Sequence, residues 1–189
     1  MREFDEDRGP SAGDPCGTLG RVTDRREGPS GTVPRREVAI LIGLQGSGKT
    51  SFYHRVLAAT HAHVSKDHFP RARRRQERQL RLIRAALEEG RDVAVDNTNP
   101  SPQEWLPLIE VARGHGARVV GYWFPPDLAA SLERNAARQG RARVPEVGLY
   151  ATLKRLRRPR LADGFDELFT VGFDGRGGFT VRPLPERPP

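Results

Sequence analysis

Between residues 38 and 172, short apolar runs alternate with longer segments of helical periodicity, which is the pattern of a parallel α/β sheet. Strands are predicted at 38–42, 61–65, 92–96, 118–124 and 168–172, and helices at 48–59, 71–89, 101–114, 127–139 and 145–157. In the second helix Leu80, Ile83 and Leu87 fall at i, i+3 and i+7, and Gly90 supplies the stop. Ser101-Pro102-Gln103-Glu104 reads as an N-cap with proline in the first turn and an acidic residue closing a capping box. Asp174-Gly175-Arg176-Gly177-Gly178, between Leu168–Phe173 and Phe179–Val181, predicts a terminal hairpin. The fold class expected is α/β, a parallel sheet with helices on both faces.

The pattern divides the chain. Residues 1–36 carry Gly9-Pro10, Asp14-Pro15, Gly28-Pro29 and Val33-Pro34 with no apolar periodicity, and read as a disordered leader. Residues 37–174 form one folded domain, and 175–189 the hairpin and a loose tail. A hydrophobic content of 36% with 7% aromatics agrees with a partly unpacked chain of 189 residues. The single cysteine, Cys16, excludes a disulfide framework and a thiolate metal site. No apolar run approaches membrane-spanning length, so a soluble, cytoplasmic protein without a membrane partner is expected.

Charge changes the picture in one respect. The net charge of +8 is balanced in residues 1–36, with seven Arg against seven acids, whereas residues 37–174 hold 22 basic and 16 acidic residues. A polyanionic partner fits this excess. So does compositional bias alone, because 29 of the 32 basic residues are Arg.

The most specific feature is Gly43-Leu44-Gln45-Gly46-Ser47-Gly48-Lys49-Thr50, which matches G-x-x-x-x-G-K-[ST] directly after the strand Val38-Ala39-Ile40-Leu41-Ile42. A strand entering a glycine loop and then a helix lets backbone N–H groups turn around phosphate oxygens at a helix N-terminus. Gly43, Gln45, Gly46, Ser47, Gly48, Lys49, Thr50 and Ser51 are therefore the candidate nucleotide-binding residues. Lys49 reaches the β/γ-phosphates, and the Thr50 hydroxyl sits on Mg²⁺.

In such a sheet, functional groups gather beyond the C-terminal ends of the strands. Asp67 follows the second strand and is the candidate base for an acceptor hydroxyl, or else an Asp opening a turn before Pro70. Asp96 and Asn97 follow the third strand. Asp96 either holds Mg²⁺ through water or caps its loop together with Asn97. Arg134 and Arg138 lie four apart on one helical face ahead of Gly140, as lid arginines would, or as part of a solvated basic face. Arg71, Arg73, Arg74, Arg75, Arg78, Arg81 and Arg84 decorate the helix after Asp67. Trp105 either stacks on a base or packs in the core. His61 and His63 lack a third ligand at metal spacing, so no structural metal is expected.

Together, the glycine loop, Val64-Ser65-Lys66-Asp67, Val95-Asp96-Asn97-Thr98-Asn99-Pro100, the lid with Val144-Pro145 and Leu161-Ala162-Asp163-Gly164-Phe165-Asp166 resemble the polynucleotide 5′-hydroxyl kinase family. The likeness covers about residues 38–172, is closest to the kinase module of polynucleotide kinase/phosphatases, and extends to zeta-toxin-like P-loop kinases. It implies that Lys49 and Thr50 bind ATP·Mg²⁺, that Asp67 is the general base, and that Arg134 and Arg138 are lid arginines. Asp96, Asn97 and Trp105 would line the acceptor pocket. Two departures bear on acceptor recognition: Lys66 stands where an arginine is frequent, and an arginine past the D-N-T-N-P string is replaced around Trp105. No D-x-D-x-T phosphatase motif is present.

The resemblance implies ATP-dependent phosphorylation of a nucleic-acid 5′-hydroxyl end, as in nucleic-acid repair. Two other readings use the same scaffold: a small-molecule kinase with a closed pocket, and a non-catalytic, ATP-switched nucleic-acid binder.

Overall fold

The computed structural model describes residues 35–186. The leader expectation therefore lies outside the described residues, except at Arg35 and Arg36. These two lie against the fold: Arg118 N–H donates to the Arg36 carbonyl at 2.6 Å, and Arg35 Nε donates to Gly116 O at 2.7 Å.

Six strands form one sheet: β1 (Glu37–Ile42), β2 (His61–Val64), β3 (Asp92–Asp96), β4 (Arg118–Trp123), β5 (Glu167–Phe173) and β6 (Phe179–Pro183). Their order is β2-β3-β1-β4-β5-β6. All pairings are parallel except β5 with β6, where the expected hairpin forms. Asp174 Oδ1 shapes that turn by accepting from the Arg176 and Gly178 N–H groups, each at 2.8 Å. The hairpin is part of the sheet, so the folded domain runs on past residue 174 to Pro183.

The helices are α1 (Lys49–Phe52), α2 (Arg75–Glu88), α3 (Pro102–Gly114), α4 (Leu128–Ala136) and α5 (Glu146–Arg155). On one face of the sheet, Ile83, Ala86 and Leu87 of α2 and Leu108 and Ile109 of α3 pack on Val38, Ile40, Ile42, Val93 and Val95. On the other, Phe52, Tyr53 and Leu57 cover Ala39, Leu41 and Ala94. Residues alternating along β1 face opposite layers, and both layers are apolar. A strand buried on both sides reads as a continuous hydrophobic run for this reason.

Three local expectations are corrected. The helix expected over 48–59 is α-helical only to Phe52 and continues as a π-helical turn over Tyr53–Leu57, where Ala58 N–H donates to Tyr53 O at 2.8 Å. This wider turn accompanies the stacking of Tyr53 on His63 of β2, with ring centroids 3.9 Å apart. Helix α2 starts at Arg75 rather than 71, after irregular chain following Pro70. The capping box at α3 does not close. Ser101 makes no side-chain cap, and the Glu104 carboxylate is drawn instead to Lys66 at 3.4 Å and Arg155 at 2.8 Å.

Trp105 is a core residue. It is 0% exposed and its ring meets Phe165 at 6.1 Å, so of the two readings the core one holds and a place in the acceptor pocket does not: neither face of the indole is open to a ligand. Its indole N–H has no partner among the described residues, and its contribution is therefore apolar packing. Trp105→Ala is expected to destabilise the fold by about 3–5 kcal/mol, with Trp105→Phe costing clearly less. Urea denaturation of the two variants measures the difference.

Candidate active site

The loop after β1 reverses tightly at Gly46 (φ 76°) and Gly48 (φ 95°), where a side chain would be strained. A Cβ at Gly46 would also lie 2.7 Å from the Ser131 carbonyl of α4, and one at Gly48 would lie 2.6 Å from the Phe173 ring. The loop is thus pressed between α4 and the end of β5. Gln45 Nε2 donates to Thr152 Oγ1 of α5 at 2.9 Å, which ties down its outer side. Ser47 is buried, and Ser51 is exposed on α1.

Lys49 is 7% exposed, and its ammonium donates to Gly43 O at 3.0 Å and Ser47 Oγ at 3.3 Å. Burial lowers its pKa from 10.5 to about 8, against the opposing pull of Asp96; Arg138 lowers it further and Asp67 raises it. Asp67, Asp96 and Arg138 thus all act electrostatically on the same ammonium, although they come from three separate segments.

Asp96 ends β3, the neighbour of β1, in register with Leu41. The Thr50 hydroxyl donates to Asp96 Oδ2 at 2.7 Å, and His63 Nε2 lies 3.1 Å from the same oxygen. Burial pushes the carboxyl up, but the His63 and Thr50 hydrogen bonds and the Lys49 charge outweigh it and hold the pKa below the usual range. Of the two roles open for Asp96, the pairing with Thr50 places it on the phosphate-loop side. Asn97 accepts from Gln79 Nε2 of α2 and does not cap the loop together with Asp96.

The string that follows is a scaffold. Thr98 O accepts the Gly43 N–H at 3.0 Å, and Asn99, buried at φ 40°, donates from Nδ2 to Leu41 O at 2.8 Å. Asparagine tolerates this left-handed backbone better than most residues.

Asp67 lies in a 3₁₀ turn over Lys66–His68 whose start is capped by Ser65, the Asp67 N–H donating to Ser65 Oγ at 3.3 Å. Asp67 is exposed, just past the end of β2. Arg134 lies on the last turn of α4. Its Nε donates to Gly46 O at 2.6 Å, and its guanidinium sits 5.0 Å from the Phe173 ring. Arg138 lies two residues beyond the helix expected to carry it: α4 ends at Ala136, and Arg138 Nη1 reaches Ala142 O at 3.5 Å. The two arginines therefore do not project together in this structure.

Three contributors escaped the sequence reading. His63 touches Asp96 from the strand alternation that also carries His61. Asn99 holds the loop from the same D-N-T-N-P string. Phe173, half exposed beside Gly48, stacks near Phe179 at 5.2 Å. The first two fall inside segments already singled out, whereas only the pairing of β5 with β6 brings Phe173 to the loop. Among the described residues, no group of three or more His, Cys, Asp or Glu side chains converges as a metal site.

This geometry has known counterparts. A putative bifunctional polynucleotide phosphatase/kinase of Acanthamoeba polyphaga mimivirus is 25% identical over 146 residues, 74% of this chain and 34% of that protein. The chain thus spans about a third of that relative's length. A fungal RNA kinase superposes with a TM-score of 0.58 at 16% identity, covering 74% of this chain and 39% of that one. A gluconokinase from Sinorhizobium meliloti gives a TM-score of 0.51 at 22% identity, covering 72% of this chain and 83% of that one. Both structures share the fold, a P-loop kinase sheet. The AAA_33 family, described as an AAA domain, matches residues 38–159, which include the phosphate loop, both strand-end aspartates, Arg134 and Arg138. The chain belongs to the AAA_33 family of P-loop domains.

Proposed function

We propose that this protein is an ATP-dependent kinase that phosphorylates the 5′-hydroxyl end of DNA or RNA, the chemistry of nucleic-acid end repair. The observation that carries the reading is the Thr50–Asp96 pair at 2.7 Å beneath a glycine loop, with a second carboxylate, Asp67, exposed at the next strand end. A nucleotide-binding loop alone needs no second carboxylate open to solvent, whereas a kinase needs one for its acceptor hydroxyl. The likeness to the mimivirus protein and to the fungal RNA kinase supports a strand as acceptor.

In this reading the loop N–H groups and Lys49 hold the β- and γ-phosphates. Thr50 and Asp96 are hard oxygen donors of the kind Mg²⁺ accepts, the carboxylate through water. When bound, the ion draws charge from the transferring phosphoryl group. Asp67 accepts a hydrogen bond from the 5′-hydroxyl, aligns its oxygen with the γ-phosphorus and takes its proton as the new O–P bond forms and the bond to the ADP oxygen breaks. Arg134 exchanges Gly46 O, and Arg138 exchanges Ala142 O, for oxygens of the transferring group. Asn97 borders the acceptor side.

A small-molecule kinase is the second reading, favoured by the match to 83% of the gluconokinase chain. Transfer of labelled γ-phosphate from ATP to a 5′-hydroxyl oligonucleotide, run beside sugars and nucleosides, separates the two. The expected result is transfer to the oligonucleotide, reduced about 10²–10⁴-fold in Asp67→Asn and abolished in Lys49→Ala. Transfer to a sugar alone would overturn the strand reading.

The buried lysine gives a pH signature. Phosphate binding needs the ammonium charged, and in the free protein it loses its proton at about 8. ATP affinity is therefore expected to fall about tenfold per pH unit above that value, read by displacement of a fluorescent nucleotide between pH 7 and 9.5. Stability moves the other way. The folded pKa lies below the unfolded one, so the unfolded chain binds more protons between about 8 and 10.5. Wild type should therefore gain stability relative to Lys49→Met as pH rises through that window, measured by urea denaturation.

A further inference from the structure

Outside the phosphate loop lies a cleft of about 780 Å³. The N-terminal end of α3 forms one wall, at Ser101 and Pro102. The other is the last turn of α5, with Lys154, and the segment that leaves it, with Arg157, Arg158 and Arg160, and buried Trp105 closes the inner side. Five basic side chains line it, counting Arg155, against the single carboxylate of Asp163. That carboxylate is already engaged by the Arg160 N–H at 2.8 Å. Among the described residues no carboxylate pairs with Lys154, Arg157, Arg158 or Arg160.

The cleft is joined to the candidate active site by one side chain. Glu104 accepts from Lys66, the neighbour of Asp67, with one oxygen and from Arg155 in the cleft wall with the other. Arg157 N–H donates to Pro100 O at 2.8 Å, fastening the same segment to the end of the D-N-T-N-P string. The cleft is thus tied both to the turn that carries Asp67 and to the D-N-T-N-P string.

We propose that this cleft is the path of the acceptor strand, holding the phosphodiesters that follow the 5′-terminal nucleotide. The proposal rests on the polynucleotide reading above and deepens it. A volume of about 780 Å³ with cations distributed over seven residues suits several phosphates in a row better than one isolated anion. No aromatic face is open in the cleft, since Trp105 is fully buried, so bases are not stacked there and recognition is of the backbone. Binding is accordingly independent of base sequence and strongly dependent on salt.

Fluorescence anisotropy of a labelled single-stranded 12-mer with a free 5′-hydroxyl, titrated over NaCl, tests this on the full chain. The triple variant Lys154→Gln/Arg157→Gln/Arg160→Gln changes only exposed side chains. It should bind at least tenfold more weakly at low salt, with the slope of log K against log salt shallower by about two, roughly 0.7 per lost phosphate contact. Restoring charge with Arg157→Lys/Arg160→Lys in place of the glutamines should recover most of that slope. In the transfer assay, the gain in kcat/KM from a nucleoside 3′-phosphate to a hexamer should shrink in the variant. A triple variant with wild-type slope and an undiminished length gain overturns the cleft while leaving the strand kinase intact. A wild type that phosphorylates no strand overturns the acceptor reading, and the binding comparison then decides the cleft independently.

Discussion

The fold depends on a clamp between two adjacent loops. β1 and β3 lie side by side, and the chain leaving β3 holds the chain leaving β1 at three points. Thr98 O takes the first loop N–H, Asn99 takes the last carbonyl but one of β1, and Asp96 takes the Thr50 hydroxyl beyond the loop. A glycine-rich loop loses much conformational entropy on ordering, so its shape must be imposed from outside. The D-N-T-N-P string imposes it. Asn99 and the Thr98 carbonyl meet backbone groups that burial would otherwise leave unpaired.

Electrostatics sits on top of this clamp. A buried ammonium is costly, and here it is offset by the loop's own carbonyls and by a carboxylate one strand away. That carboxylate is kept ionised by His63 and Thr50 despite its burial. The site therefore contains a cation and an anion that stabilise one another without forming a direct pair. Arg134 resting on Gly46 O extends the arrangement to α4.

Much of this was legible in the sequence, for physical reasons that differ by element. The strands were readable because parallel strands covered on both faces show up as uninterrupted apolar runs, and β1 and β4 do. The glycine loop and the strand-end aspartates were readable because their spacing is set by covalent geometry. Trp105 was left open between two readings, and the shared face of Arg134 and Arg138 was misplaced, where side-chain direction and helix length decide. The same tryptophan suits a core and a stacking platform, and only the packing of Phe165 against it selects the core. The i, i+4 face of Arg134 and Arg138 assumed a helix that continues, whereas α4 stops at Ala136. The capping box failed because Glu104 found two cations distant in sequence, which no local pattern reports.

The hairpin that ends the sheet carries a consequence for how the protein is made. Phe173 and Phe179 form the wall against Gly48, yet roughly 130 residues separate that wall from the loop it supports. On a ribosome, with chains growing at about 5–20 residues per second, the glycine loop waits on the order of ten seconds for its last neighbour. During that interval β1 and its loop exist without the aromatic side that will press on them. The full packing around the cradle is thus a late product of synthesis although its motif is translated early.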